Sequence, residues 1–261
     1  MKGLILSAGM GTRLDPLTRT CPKCMVHVAG RPIMEHQLDA LRSAGVNECT
    51  IVVGHMAGFV RDHFGAKFHG VSLSYVENTV YSDTNNLYSL CLAKANLDDD
   101  ILLLEGDLVF DDQLIGRLVG LDDENVAIVD RFESHMNGTV ILADGRVAEA
   151  MVLKADQGPD FDYRSVLKTV NIYRLSRETL AESIIPEMEE FIAEGRTDQY
   201  YEAAFAKLIQ SGRMNMTVMM TGKNRWAEID TLEDLRYAEK MFVSASATVR
   251  TGRHMPLRPT A

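Results

Sequence analysis

The sequence is poor in cysteine and tryptophan, and it lacks any long hydrophobic run. It has four cysteines and one tryptophan in 261 residues. No stretch approaches the roughly 20 apolar residues of a membrane-spanning helix. Positive charge is also scarce, because 27 Lys and Arg residues face 37 Asp and Glu residues, a formal net charge of −10. This excess of negative charge disfavours nucleic acid or an anionic membrane as a partner.

The N-terminal residues 1–7 contain one lysine and a short apolar run. The run is too short for a signal peptide and leads into glycines, so it predicts a buried first strand and a cytoplasmic protein. We expect reduced cysteines in that compartment. Cys21 and Cys24 match C-x-x-C, but no second pair completes a four-ligand zinc site, which disfavours zinc or redox chemistry.

Strand and helix patterns alternate along the first half of the chain, which is typical of βα units and a mostly parallel sheet. The predicted strands there are residues 2–7, 49–53, 72–76, 101–105 and 126–129, and the predicted helices are residues 32–44, 57–64, 86–95 and 111–119. We therefore predict an α/β fold with a Rossmann-like, mostly parallel sheet flanked by helices.

The pattern changes after about residue 137. Residues 139–142 and 146–153 flank Ala-Asp-Gly, a hairpin signal, and further strands are predicted at 169–173, 214–220 and 226–229. Helices are predicted at 176–193, 200–210 and 231–242. These patterns indicate an antiparallel extension of the sheet. We predict one domain over 1–242, made of a nucleotide-binding part (1–136) and a second part (137–242), with a flexible tail at 243–261.

A glycine loop follows the first strand. Gly9 and Gly11 allow backbone N–H groups to curl around phosphate oxygens, and Arg13 adds a cation with forked donors. Lys23 is a second cation within reach. The alternative is an ordinary strand-to-helix turn with surface charges. Leu14 stands where a dinucleotide fingerprint has its third glycine, which excludes a plain dinucleotide-binding oxidoreductase.

The run Gly9-Met10-Gly11-Thr12-Arg13-Leu14, followed by Pro16-Leu17-Thr18 and then Pro22-Lys23, resembles the signature of the sugar-1-phosphate nucleotidylyltransferase superfamily. The resemblance implies that the loop, with Ala8, Gly9, Gly11 and Thr12, wraps the phosphates of a nucleoside triphosphate. It also implies that Arg13 neutralises these phosphates and that Lys23 contacts the reacting α-phosphate. Arg13 and Lys23 are therefore the predicted catalytic residues.

Two apolar strands end in aspartates, Asp107 and Asp230. An Asp at the carboxyl end of a parallel strand faces the crevice in which such sheets bind ligands, and two of them can share a Mg²⁺ ion with phosphate oxygens. Both can equally be helix caps, since Asp230 precedes a predicted helix capped by Thr231. The superfamily resemblance implies the metal pair, with Asp107 also close to the nucleotide.

The segment Thr84-Asn85-Asn86-Leu87-Tyr88-Ser89-Leu90 indicates the subfamily. Amides suit a pyrimidine edge, and the same residues can cap the helix that follows. The run resembles the phosphocholine and aminoalkylphosphonate cytidylyltransferase branch, as does the ending from Trp226 to Leu235. The resemblance implies CTP as donor, with Asn85, Asn86 and Ser89 at the nucleotide.

The second half supplies candidates for an acceptor site. A lysine in this region holds the acceptor phosphate in the superfamily, so Lys154 or Lys168 is expected to do so here, although exposed lysines are common. An acceptor amine requires aromatic faces or carboxylates. The predicted acceptor-binding residues are Asp130, Lys154, Lys168, Asn171, Tyr173, Glu202 and Trp226.

These residues predict a Mg²⁺-dependent cytidylyltransferase that transfers CMP from CTP to a small phosphorylated or phosphonate acceptor and releases pyrophosphate. Two alternatives stay open. One is a sugar-1-phosphate uridylyl- or guanylyltransferase, and the other is an inactive NTP-binding regulatory subunit. A homo-oligomer is possible, and the acceptor's identity is left open by the sequence.

Overall fold

The computed structural model describes residues 1–250, of which 244–250 are described as backbone only. Its strands are β1 (Lys2–Ser7), β2 (His27–Val28), β3 (Arg31–Pro32), β4 (Glu48–Val53), β5 (Lys67–Phe68), β6 (Val71–Glu77), β7 (Ile101–Glu105), β8 (Leu108–Phe110), β9 (Val126–Arg131), β10 (Val140–Asp144), β11 (Val147–Val152), β12 (Leu167–Leu175), β13 (Thr217–Met220) and β14 (Trp226–Glu228). Its α-helices are α1 (Ile33–Ser43), α2 (Ala57–Phe64), α3 (Asn86–Leu92), α4 (Gln113–Val119), α5 (Arg177–Thr179), α6 (Ile185–Ala193), α7 (Tyr201–Gln210) and α8 (Leu232–Arg250).

Ten strands form one mixed sheet in the order β10-β11-β13-β9-β12-β7-β1-β4-β6-β5. The strands β7, β1, β4 and β6 run parallel, as the first half of the sequence predicts. β12 enters antiparallel between β7 and β9, and β10 and β11 pair as the predicted hairpin. The antiparallel strands therefore belong to the same sheet and lie beside the nucleotide-binding half.

Both faces of the sheet are covered by helices. Alternate residues of β7 point to opposite faces, so Leu103 packs with α3, α6 and α7, whereas Leu102 and Leu104 pack with α1, α2 and α4. Each of these leucines is fully buried and contributes roughly 1.5–3 kcal/mol to stability. Burial on both faces explains why the strand reads as a continuous apolar run.

A third apolar cluster joins α8 to the small sheet that β14 forms with β8. Ala227 and Ile229 are buried in it together with Ala238 and Phe242. The guanidinium of Arg225 reinforces the contact by binding the Asp111 carboxylate and the backbone carbonyl of Met241. The position of β14 is thus fixed by α8.

Several predicted boundaries are wrong. The helix predicted at 86–95 ends at Leu92, and the strand predicted at 214–220 begins at Thr217. The helix predicted at 176–193 is broken by a π-turn at Leu180–Ile184, just before Pro186, whose ring nitrogen cannot donate a hydrogen bond. The sequence patterns missed β8, which is three residues long.

The last helix also differs from its prediction. α8 continues to Arg250, so residues 243–250, predicted to begin a flexible tail, are helical. The remainder of that predicted tail, residues 251–261, lies outside the described residues. Across the described part of the chain, no helix has the length and apolarity needed to cross a bilayer.

Candidate active site

A cleft of about 1080 Å³ opens at the carboxyl ends of β1 and β7. With one exception, every site residue predicted from the sequence lines this cleft. These residues are Ala8, Gly9, Gly11, Thr12, Arg13, Lys23, Asn85, Asn86, Ser89, Asp107, Asp130, Lys154, Lys168, Asn171, Glu202, Trp226 and Asp230. Segments far apart in the sequence therefore meet in one concave site.

The glycine loop is shaped by a backbone position that only glycine fits well. Gly11 has a φ of 63°, in the left-handed region. A Cβ atom there would lie 2.9 Å from the Cβ of Lys23 and 3.1 Å from Cγ2 of Thr18. The Thr18 hydroxyl donates to the Gly11 carbonyl at 2.9 Å and closes the loop. The loop therefore holds Lys23 directly against its backbone.

Lys23 stands at the centre of a charge cluster. Its Nζ lies 2.5 Å from Oδ2 of Asp107 and 2.6 Å from Oδ1 of Asp230. Nη2 of Arg13 also contacts Oδ1 of Asp230, at 2.9 Å. Burial disfavours the ammonium, but the two carboxylates outweigh it and raise the pKa of Lys23 above its ordinary value. The predicted cations and aspartates thus form a single cluster.

The two aspartates reach this cluster by different routes. Asp107 follows the parallel strand β7, as predicted. Asp230 follows β14, which pairs antiparallel with β8, so the expectation that it ends a parallel strand is wrong. The N–H of Ile229 donates to the Asp107 carbonyl at 2.9 Å, and this bond holds the two carboxylates side by side.

Glu228 is a third carboxylate that the sequence analysis missed. Oxygen atoms of Asp107, Glu228 and Asp230 all lie within 4.8 Å of one another. Burial raises the pKa of Glu228 to about 7, and both aspartates add to the rise against the opposing charge of Lys168. In the structure Trp226, Glu228 and Asp230 line the cleft and alternate with the buried Ala227 and Ile229, but a strand of three residues is too short to show this alternation in the sequence.

This carboxylate set fits a divalent cation. Oδ1 of Asp107 is buried and has no hydrogen-bond partner among the described residues. Three converging carboxylates supply the hard oxygen ligands that Mg²⁺ and Ca²⁺ prefer. The geometry therefore supports a metal centre, with Asp107 and Asp230 as the predicted ligands and Glu228 beside them.

The segment of residues 84–90, which carries Asn85 and Asn86, has a structural role in addition to its place in the cleft. Oδ1 of Asn85 accepts the N–H of Asn86 at 2.8 Å, so the predicted cap of α3 is confirmed. The Asn86 amide donates to Oε1 of Glu105 at 2.9 Å and accepts the N–H of Tyr201 at 2.9 Å. The hydroxyl of Ser89 accepts a hydrogen bond from Asn78 at 3.1 Å. Asn86 thereby joins α3, β7 and the start of α7.

The other half of the cleft is built from β9, β12 and β14. The indole N–H of Trp226 donates to Oδ2 of Asp130 at 2.7 Å. Lys168 is only 2% exposed; its Nζ donates to the Thr169 carbonyl at 2.7 Å and lies 3.8 Å from Oε2 of Glu228. Lys154 is more exposed, and it donates to the hydroxyl of Tyr163 at 3.1 Å. Of the two candidate lysines, Lys168 is the one buried beside the carboxylate cluster.

Tyr173 is the exception among the predicted residues, because it belongs to the core. It is fully buried, and its ring packs edge-on against Tyr201 and Phe205 at centroid distances of 5.8 and 5.5 Å. The pairing of β12 with β9 shifts register between Thr169 and Tyr173, around Asn171 with its positive φ of 59°. Asn171 lines the cleft, whereas Tyr173 faces the helices on the other side. The prediction that Tyr173 binds an acceptor is wrong.

Two glutamates of the cleft, Glu105 and Glu202, lie close to Asn86. Glu202 is 4% exposed, and burial raises its pKa to about 7. Its Oε2 has no hydrogen-bond partner among the described residues. Burial, with the charges of Asp107 and Glu202, raises the pKa of Glu105 well above its ordinary value. The sequence analysis included Glu202 and missed Glu105.

Comparisons with known proteins identify the family of this chain. A family model described as nucleotidyl transferase matches residues 2–243, and the chain belongs to that family. Over 243 residues it is 35% identical to the CMP-5'-(3-aminopropyl)phosphonate synthase of Streptomyces rubellomurinus, covering 93% of this chain and 39% of that protein. It is 34% identical to the choline-phosphate cytidylyltransferase of Streptococcus pneumoniae over 113 residues, 42% of this chain and 46% of the relative. Each of these two sequence matches therefore covers less than half the length of the relative.

A solved structure supports the fold. The structure of the CTP:phosphocholine cytidylyltransferase of Streptococcus pneumoniae superposes with a TM-score of 0.75, at 23% sequence identity. The match covers 92% of this chain and 98% of that chain. The mixed sheet with its flanking helices is therefore the nucleotidyltransferase architecture.

Proposed function

We propose that this chain transfers CMP from CTP to a small phosphorylated or phosphonate acceptor and releases pyrophosphate. The observation that carries the proposal is the convergence of Lys23 and Arg13 with Asp107 and Asp230 beside the glycine loop. The named activities of the two relatives support the choice of CTP and of an acceptor with a phosphate or phosphonate group.

Asp107 and Asp230, with Glu228 beside them, would hold a Mg²⁺ ion. When bound, the ion supplies positive charge that neutralises and aligns the phosphate oxygens. Because the three carboxylates already lie within 4.8 Å of one another, the protein needs little rearrangement to bind it. Mg²⁺ is favoured over zinc because oxygen atoms are the only ligands that this cluster offers.

The reaction is a direct displacement at phosphorus. An acceptor oxygen bonds to the α-phosphorus of CTP, and the bond between the α-phosphorus and the bridging oxygen breaks, so that pyrophosphate leaves with the electron pair. A phosphate or phosphonate oxygen is already ionised at neutral pH, so the chain needs no general base. Lys23 and Arg13 stabilise the negative charge that develops, and losing one such contact costs about 3–4 kcal/mol of barrier.

The cleft divides between the two substrates in this proposal. Asn85 and Ser89, next to the glycine loop, face the cytosine base. Asn86 stabilises this side of the cleft by its hydrogen bond to Glu105. The acceptor occupies the half formed by Asp130, Lys168 and Trp226, with Asn171 and Lys154 further along the cleft. Lys168 binds the acceptor's phosphate or phosphonate group, since it is a buried cation close to the metal cluster.

The test is pyrophosphate release in Mg²⁺, with CTP, UTP, GTP, ATP and dTTP each paired with phosphocholine, aminoalkylphosphonates and hexose-1-phosphates. CTP with an amine-bearing acceptor should be the active pair, and Asp107→Asn should lower turnover by about a hundredfold or more. Asp98→Asn, an exposed aspartate paired with Lys2, is the matched control and should keep full turnover.

Other results would point to the alternatives. Release only with UTP or GTP and a hexose-1-phosphate would replace this proposal with a sugar-nucleotide enzyme on the same metal site. Nucleotide binding without release for any pair would indicate an inactive regulatory subunit. Full turnover in Asp107→Asn would remove the metal cluster from the mechanism.

A further inference from the structure

Arg117 joins helix α4 to the turn that leads into β14. Its guanidinium donates to the backbone carbonyls of Met220 and Thr221 at 2.8 and 2.7 Å, and to Oδ1 of Asn224 at 2.8 Å. The turn, residues 221–224, takes the chain from β13 in the main sheet to β14 in the small sheet. One side chain therefore binds three acceptors along a short connection.

The hydrogen bond within the turn itself is weaker. The N–H of Asn224 donates to the Thr221 carbonyl at 3.3 Å, which is longer than a typical backbone hydrogen bond. Gly222, between them, has a φ of 68°, in the left-handed region. The bonds from Arg117 are shorter, and a charged donor forms stronger hydrogen bonds than a neutral one. Arg117 therefore contributes more to the position of Asn224 than the internal bond of the turn does.

The helix that carries Arg117 is firmly packed on the main sheet. Three of its apolar side chains are fully buried in the core: Leu114, Ile115 and Leu118. Just before the helix, the Asp111 carboxylate binds the guanidinium of Arg225, and the Asp111 N–H donates to the Arg225 carbonyl at 3.0 Å. The segment of residues 220–225 is thus tied to α4 near both ends of the helix.

The position of this segment determines where β14 begins. β14 starts directly after Arg225, and it brings Glu228 and Asp230 to Asp107, with oxygen atoms of all three within 4.8 Å of one another. Asp107 follows a different strand, β7, so a shift of β14 would move two carboxylates relative to the third. Groups that orient metal ligands from outside the site typically change metal affinity by about 10- to 100-fold.

We propose that Arg117 is a positioning residue for the metal cluster. By fixing the turn of residues 221–224, it sets where Glu228 and Asp230 lie relative to Asp107, and so determines the affinity of the cluster for a divalent cation. This inference rests on the metal site of the proposed function. Arg117 is exposed and lies outside the described lining of the cleft, so it acts through β14 and not by contact with a substrate.

Mn²⁺ binding to the nucleotide-free protein tests this role directly. Arg117→Met removes the guanidinium and keeps much of the aliphatic stem, so the Kd for Mn²⁺ should rise about tenfold or more. The Mg²⁺ concentration for half-maximal pyrophosphate release should rise by a similar factor, and turnover at saturating Mg²⁺ should return close to the wild-type value. Arg117→Lys keeps the charge but not the forked donors, so it should restore the Mn²⁺ affinity only in part.

A role confined to stability predicts a different result. It would lower the unfolding midpoint of Arg117→Met and leave the Kd of the folded protein for Mn²⁺ unchanged. Arg146→Met is the matched control, because Arg146 is also an exposed arginine and pairs with Asp123 outside the cleft. This control should keep the wild-type Kd for Mn²⁺ and the wild-type dependence of turnover on Mg²⁺.

The outcomes separate this inference from the proposed function. Mn²⁺ binding by the wild-type protein, with the same Kd in Arg117→Met, would overturn the role of Arg117 alone. Turnover that stays low in Arg117→Met at every Mg²⁺ concentration, with an unchanged Kd for Mn²⁺, would do the same. Absence of Mn²⁺ binding in the wild-type protein would overturn the metal site of the proposed function, and this inference with it.

Discussion

Replacing Lys23 with methionine removes an ammonium group that contacts both predicted metal ligands. Its Nζ lies 2.5 Å from Asp107 and 2.6 Å from Asp230, and the three side chains are 16–23% exposed. After the replacement, two carboxylates face each other, and among the described side chains Arg13 is the cation that still contacts Asp230. We expect the variant to be less stable without metal, and to be rescued by it.

The size of the effect follows from the burial of the cluster. Breaking a fully buried ion pair by removing one partner costs about 3–5 kcal/mol, and the residual exposure here favours the lower end, about 3 kcal/mol. For a chain of this length, such a loss lowers the melting midpoint by about 6–12 °C. Mg²⁺ should restore at least half of the loss, because it supplies the charge that the lysine supplied.

Thermal unfolding with EDTA and with millimolar Mg²⁺ measures both quantities, and titration with Mn²⁺ measures metal affinity directly. Lys23→Met should bind Mn²⁺ more tightly than the wild-type protein in the absence of nucleotide, although it turns over far more slowly. Lys94→Met, which removes an exposed pair with Glu189, is the control and should leave the midpoint unchanged. Equal stabilisation of Lys23→Met and wild type by Mg²⁺ would refute the idea that ammonium and metal compete for these carboxylates.

Three further predictions concern the loop, the core and the buried acids. Gly11→Ala should lower turnover at least tenfold, measured by pyrophosphate release. The new Cβ would lie 2.9 Å from the Cβ of Lys23 and displace that side chain, and a φ of 63° disfavours alanine. Normal turnover would show that the loop can adjust. Tyr173→Phe should leave the acceptor KM within about twofold of the wild-type value, because the lost hydroxyl is buried and has no partner among the described residues; a large KM increase would return Tyr173 to the acceptor site. Burial raises the pKa of Glu202 from 4.5 to about 7, so the folded state binds the extra proton and the free energy of unfolding should fall as the pH rises from 4.5 to 7. Chemical denaturation at pH 5.5 and pH 8 should show a smaller fall in Glu202→Gln than in wild type, and equal falls would place the titration elsewhere.

The residues whose place in the cleft could be predicted from the sequence stand in local patterns. β1 and β7 are apolar runs, and a glycine follows each of them within two residues. Gly11 and Asp107 therefore stand beside clear strand signals, and Lys23 follows from the family motif. The capping role of Asn85 is local too, since it depends on one neighbouring N–H.

The missed parts depend on pairings that no local pattern reveals. Glu228 joins the metal cluster because β14 pairs with β8, and three residues of strand are too few to show a period. Glu105 and Glu202 act on each other because Asn86 links β7 to the start of α7. The placement of Tyr173 depends on a register shift around Asn171, which reverses the side to which the following residues point.

The charge cluster joins positions that lie far apart in the chain, which has a consequence for how the molecule matures. Lys23 is separated from Asp107 by 84 positions and from Asp230 by 207. During synthesis the glycine loop and Lys23 emerge first. Lys23 contacts the carboxylate of Asp230 only when β14 has formed and α8 has packed on it. The loop-closure entropy of contacts at such separation opposes their formation and slows folding. A chain that stops before β14 lacks Glu228 and Asp230, so we expect the proposed nucleotide site to assemble only in molecules that have completed their fold.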